Sequence, residues 1–94
     1  MAHLLLPDSC LVEGMAAGDL AARGELYVRY RLSLYAHAYA LLVDPAAAEQ
    51  VVLETFERAW RSAQGFNPDV RSAFAWLSAI ARELTEQRQQ TPVR

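Results

Sequence analysis

Apolar positions recur three and four residues apart along almost the whole chain, a spacing that predicts successive helices and no strand. The clearest case is the stretch from Pro45 to Arg61. Val52, Phe56, Ala59 and Ala63 fall on one stripe, and Gln50, Glu54, Glu57, Arg58 and Arg61 fall opposite it. Asp44 can cap the first turn, and Pro45 suits the first helical position because its missing N–H has no partner there. A helix over 45–63 follows, about 27 Å long for roughly 18 residues at ~1.5 Å each. Leu53 lies between its acidic side and Trp60 and is expected to be at least partly exposed, an apolar contact point on a charged face.

The remaining elements are read in the same way. Pro7 precedes a short helix over 8–17, with Asp8 or Ser9 as cap and Leu11, Val12 and Met15 as apolar contacts. Gly18 suits a left-handed stop and Asp19 caps the next helix at once, so the two helices should meet at a sharp angle. The second helix, over 20–43, carries two apolar stripes. One runs Leu20, Tyr27, Leu34, Leu41, with Tyr30 and Ala38 between, and the other runs Val28, Leu32, Tyr35, Tyr39, Leu42. A helix apolar on two sides is expected to be covered on two sides, which places this one centrally with the first and third helices around it. Gln64 to Asp69 reads as a loop by its Gly and its Asn-Pro step. A last helix over 70–89 presents Ala73, Leu77, Ile80 and Leu84 inward, with Phe74 and Ala81 beside them. Its outer face reads Arg71, Ala75, Ser78, Arg82, Thr85, Gln89. Residues 90–94 look like the beginning of a linker or tail. The prediction is an all-α fold, a single compact domain of four helices.

Composition narrows the function. The chain has 94 residues, enough for one small domain with a limited core. Its basic residues are all arginine and its net charge is −2, so nucleic-acid binding would have to rest on a local patch. Residues 44–63 hold four acids and two arginines, whereas residues 64–94 hold three acids and four arginines. An acidic helix therefore precedes a mildly basic loop and helix. Cys10 is alone, which excludes an internal disulfide and points to a reducing compartment. The uncharged apolar run from Leu32 to Val43 is too short for a span of ~20 residues, and no signal peptide is evident, so the expected location is the cytoplasm, away from membrane.

No catalytic constellation is present. His3, His37 and Cys10 have no metal-ligand spacing, no phosphate loop or nucleophile elbow occurs, and His37, mid-helix among apolar residues, reads as structural. Neither an enzyme nor a cofactor is expected. Phe66 and Trp76 near Arg71 form the combination that single-stranded nucleic-acid sites use for stacking and phosphate contact, although two aromatics in a small domain are more often core.

The order of phrases adds a resemblance. Gly18-Asp19, Glu25-Leu26-Tyr27, Arg29-Tyr30, Ala48-Glu49, Val51-Val52, Glu54-Thr55-Phe56, Arg58-Ala59-Trp60-Arg61, Phe66, Trp76-Leu77 and Ile80-Ala81-Arg82 follow one another over residues 8–90. The series resembles region 2 of bacterial sigma factors of the extracytoplasmic-function (ECF) type. That resemblance implies a domain that docks on the β′ clamp helices of RNA polymerase core and recognises and melts the minus-ten promoter element. Carried over by position, the polymerase surface would be Glu49, Gln50, Leu53, Glu54 and Glu57. The loop from 64 to 72 would hold a flipped base of the single-stranded minus-ten DNA, which assigns Phe66, Asn67, Arg71, Ser72 and Trp76 to DNA. The outer face of the last helix would add Ser78, Arg82, Thr85 and Arg88. An anti-sigma factor is a further partner the resemblance allows.

The chain departs from the family pattern at Gln50 and Leu53, where Asp and Gln are usual, at Glu83 and Gln87, where Asn and Asp are usual, and at Arg23, which replaces an aromatic. Glu83 and Glu86 are expected to oppose phosphate. The chain also stops where the family would begin a linker to a domain reading the minus-35 element. It is then either an excised fragment or a protein with this domain alone. The departures at the working surfaces leave a second reading, a sigma-like interaction module that binds polymerase or an anti-sigma protein without reading promoters. A third is a helical bundle holding an apolar ligand between its Tyr-rich helices.

Overall fold

The computed structural model describes residues 6–90, so His3 and residues 91–94 of the tail reading over 90–94 lie outside the described residues, and Gln90, read as the start of that tail, is instead helical. The chain forms α1 (Asp8–Ala16), α2 (Leu20–Leu42), α3 (Pro45–Ser62) and α4 (Ala73–Gln90), with a 3₁₀ turn over Ala63–Gly65. No strand occurs among the described residues. The all-α four-helix class read from the pattern is the observed one.

Caps set the boundaries. The Asp19 carboxylate accepts from the N–H groups of Ala21 and Ala22, and the Asp44 carboxylate accepts from Ala46 and Ala47. Gly18 has φ +90° and ends α1. Val43 does the equivalent job for α2 at φ 52°, a position that costs a β-branched residue roughly 1–2 kcal/mol. It is held there because Asp44 must already be extended ahead of Pro45 (φ −146°, ψ 110°).

Beyond one-residue shifts at the helix ends, two boundaries differ from the sequence reading. The cap position of α1 is Pro7, and neither Asp8 nor Ser9 caps it. Asp8 sits inside the first turn and reaches across to α2, where it accepts from Arg29 (2.7 Å) and from the Tyr30 hydroxyl. Helix α4 begins at Ala73 instead of Val70. Asn67 holds residues 67–71 in a turn, its side-chain oxygen accepting from Asp69 N–H (2.9 Å) and its carbonyl from Val70 N–H (3.1 Å). Ser72 then caps, its hydroxyl oxygen accepting from Ala75 N–H.

One core joins all four helices: Leu11, Val12 and Met15 of α1, Ala22, Leu26, Leu34 and Ala38 of α2, Val51, Val52 and Phe56 of α3, and Leu77, Ile80 and Leu84 of α4. Helix α2 packs against each of the other three and is the spine of the domain. Gly14 permits the close crossing of α1 and α2, since a Cβ there would stand 2.9 Å from that of Ala22. Thr55 and Thr85 are the buried polar residues, each hydroxyl donating to the carbonyl four residues earlier.

The expectation that α2 is covered on two sides is wrong. Its inner arc takes all three neighbours, and both stripes leave apolar side chains exposed, Val28 (63%) and Leu32 (68%) of the second and Leu20 (67%) and Leu41 (45%) of the first, while Tyr35 and Leu42 are partly buried against the core. Three short helices surround one side of a 23-residue helix and leave none for the other.

The Asp8 junction has a testable consequence. Burial, then the hydrogen bond to Asp8 and the nearby carboxylate charge, push the Tyr30 phenol up to about 12. A pKa raised in the folded state gives stability that is present below the unfolded value of ~10 and is lost as pH rises toward 12. In an absorbance titration of the four tyrosines, one should ionise late, and Tyr30→Phe should abolish that late step. A titration with no late step in the parent would refute the junction.

Candidate functional site: two faces of the bundle

The first face is built by α2 and α3. Glu49, Gln50 and Glu57 are exposed on α3, and Leu53 is 50% exposed among them, as its position in the pattern predicts. Beside them runs a groove of about 410 Å³ between the helices, lined by Tyr27, Arg31, Leu32, Tyr35, Pro45, Ala46, Glu49 and Val52. A smaller one of about 250 Å³ continues it along Leu20, Arg23, Tyr27, Leu53 and Phe56. Arg23 lies over the Trp60 ring (5.6 Å), so its stem and guanidinium occupy the surface above that aromatic. The face is thus apolar at Leu20, Leu32 and Leu53 and acidic at Glu49 and Glu57. The contribution of α2 was missed in the sequence, because its exposed leucines Leu20 and Leu32 read there as parts of two core stripes.

Glu54 belongs to this face only in part. Its carboxylate accepts from Arg88 across the α3–α4 seam (3.4 Å), and Arg58 pairs with Glu83 one turn away (3.0 Å). These half-exposed pairs add little stability, but they decide where charge is available. Arg88, assigned to DNA by position, is engaged at the seam. Glu83, expected to repel phosphate, has its charge countered by Arg58.

The second face surrounds α4. Gly65, Phe66, Asn67, Val70, Arg71 and Trp76 line a concavity of about 340 Å³ under the loop between α3 and α4. Phe66 and Trp76 form its aromatic wall, with ring centroids 4.9 Å apart and planes inclined by 43°. The structure therefore brings together Phe66, Asn67, Arg71 and Trp76, and places Ser72 beside them as the helix cap. Ser78 and Arg82 lie instead in a groove between α2 and α4, with Ser33, Leu34, His37, Phe74 and Ala81. Thr85 is a correction. Its side chain is buried and its hydroxyl is spent on the Ala81 carbonyl, so it is not on the outer face.

Charge availability singles out two residues. Arg29, Arg58, Arg61 and Arg88 have carboxylate partners, and Arg23 and Arg31 lie over Trp60 and Tyr27. Among the described residues, Arg71 and Arg82 are the arginines whose guanidinium groups have no such partner, and each stands at one of the two concavities flanking α4. All these concavities open to solvent, and rim residues such as Leu32, Glu49, His37 and Arg82 are exposed, so none encloses a ligand as the third reading requires. No group of three or more His, Cys, Asp or Glu is placed to hold a metal ion, and no helix is long and apolar enough to cross a membrane, among the described residues.

The four-helix domain thus presents an acidic and apolar face on one side and an aromatic pocket with uncommitted arginines on another. Residues 26–89 match the sigma-70 region 2 family model. The chain belongs to that family, as an ECF-type sigma region 2 domain. It is 38% identical over 73 residues to the ECF RNA polymerase sigma factor SigL of Mycobacterium tuberculosis, covering 78% of this chain and 41% of that protein. It is 40% identical over 74 residues to the ECF RNA polymerase sigma factor BldN of Streptomyces coelicolor, covering 79% and 28%. With the ECF sigma factor SigK of Mycolicibacterium vanbaalenii it shares 31% over 71 residues, covering 76% and 36%. The match thus spans well under half of each of these relatives. No solved structure gives a significant match.

Proposed function

We propose that this domain acts in transcription initiation, docking on RNA polymerase core through its α2–α3 face and holding single-stranded minus-ten DNA along α4. It works in the cytoplasm as a non-enzymatic adaptor. Glu49, Gln50, Leu53 and Glu57, with Leu20 and Leu32 of α2, meet the β′ clamp helices, and the same apolar surface is open to an anti-sigma protein.

The observation that carries the DNA half is the pocket of Phe66, Asn67, Arg71 and Trp76. Extruding a base from the stack costs a few kcal/mol. Stacking on an aromatic wall returns roughly 1–3 kcal/mol per base, and the Arg71 guanidinium is available for the adjoining phosphate. With so few uncommitted arginines the affinity is modest, but the isolated chain should still bind the strand measurably.

Titrating the chain with a non-template minus-ten strand, read by tryptophan fluorescence at several salt concentrations, tests this directly. Arg71→Ala should weaken binding and make the slope of log affinity against log salt shallower by about 0.7, one phosphate contact on a single strand. An unchanged slope would remove Arg71 from the site. The second reading, an interaction module that does not read promoters, draws on Glu86 and the neutral Gln89-Gln90 end of α4. It predicts clamp binding with no DNA binding at any salt.

A further inference from the structure

We infer that the groove between α2 and α4 is a second, proton-gated phosphate seat for the same DNA strand, with His37 as the gate; this rests on the DNA-binding reading proposed above. The sequence pattern reads His37 as a satisfied or partly exposed structural histidine. The structure leaves it exposed on the rim of a groove of about 280 Å³, with Ser33 from its own helix and Ser78 and Arg82 from α4. Two hydroxyls, an imidazole and an uncommitted guanidinium, converging from two helices, form a donor set suited to a phosphodiester. No carboxylate lines the groove. The charged group facing His37 from α4 is Arg82. Toward the start of α2, Phe74 separates the groove from Tyr30, against which it packs at 4.9 Å, and the Tyr30 hydroxyl is bound to Asp8.

The two concavities lie on opposite sides of α4. Trp76 and Ser78 are two positions apart, about 200° around a helix of 3.6 residues per turn. Between them the outer crest of α4 carries Ala75 and Ala79, which have almost no side chain to keep a strand at a distance. Crossing a helix about 10–12 Å wide takes roughly three steps of ~3.4 Å along a strand, fewer if it is extended. A strand with a base in the Phe66–Trp76 pocket therefore reaches Arg82 and His37 within a few nucleotides.

A histidine side chain can gain a proton between about pH 5 and 8, so a second cation in the seat is what a comparison of two pH values would read. The test is the same titration with the whole chain at pH of about 6 and about 8, using the parent, His37→Gln, Arg82→Gln and Arg71→Ala. All these positions are exposed, so the substitutions leave the core intact, which helical circular dichroism checks. The salt slope of the parent should be steeper by about 0.7 at the lower pH. His37→Gln should lose that difference, and Arg82→Gln should be shallower at both pH values. Equal slopes at the two pH values, or a pH response that survives His37→Gln, would overturn the seat. If the slope responds to Arg71→Ala but to neither groove variant, the seat fails and the DNA reading stands. If no variant changes binding, both fail.

Discussion

Replacing Phe56 by alanine should destabilise the domain by about 3–5 kcal/mol. The ring is 2% exposed at the centre of α3 and meets Tyr27 of α2 edge-on, with centroids 5.4 Å apart and planes at 70°. Such a pair adds about 0.5–1.5 kcal/mol beyond the area it buries. The neighbours that would have to collapse into the space belong to helices tied by caps at Asp19 and Asp44, so the cavity should persist. Against a total of about 5–15 kcal/mol for a domain, the loss is a large share of stability. At about 4–8 °C per kcal/mol for this size, the melting midpoint should fall by at least about 12 °C. A midpoint unchanged within a few degrees would refute the packing of α3 on α2.

Leu53→Glu should leave stability nearly unchanged and weaken docking on the polymerase clamp by about 10- to 100-fold. Half of the Leu53 surface is exposed in the free domain, so it can be covered by a partner. Burying such a side chain contributes about 1.5–3 kcal/mol, and each 1.4 kcal/mol is tenfold in affinity. The substitution also adds a carboxylate beside Glu49, Gln50 and Glu57, which a clamp interface would have to desolvate. Titration of the isolated clamp helices with parent and variant measures the ratio. Equal affinities would show that the α2–α3 face is not the interface.

Much of the fold was legible because caps and core stripes are local. Asp19, Asp44 with Pro45, and the stripe Val52, Phe56, Ala59, Ala63 each depend on neighbours within a turn or two of the same helix. What was not legible depends on which helix covers which edge. The period of α2 shows two apolar stripes, but only packing reveals that Val28 and Leu32 are left exposed among the described residues. Thr85 sits within about 20° of Ser78 by helical angle, yet the neighbouring helices close over one and leave the other at a groove. Helix α4 starts three residues late because the Asn67 side chain holds a turn that periodicity cannot register.

The site followed the same division. Phe66, Asn67, Arg71 and Trp76 are gathered by one loop, and their proximity in sequence was a usable signal. His37 carried none, since its neighbours in the groove are some forty residues away on α4. Nor could charge counts show that Arg88 and Glu83 are engaged while Arg71 and Arg82 are available.

On the proposed reading, a promoter base leaves its stack and enters the Phe66–Trp76 pocket while the domain is held by polymerase. The most direct measurement places a fluorescent adenine analogue at successive positions of the non-template minus-ten strand and adds core polymerase with the chain. Stacked analogues are quenched. One position should brighten with the parent, and Arg71→Ala and Trp76→Ala should both reduce that signal while clamp binding is retained. Uniform quenching at every position, with the domain demonstrably on polymerase, would rule out capture of a base in this pocket.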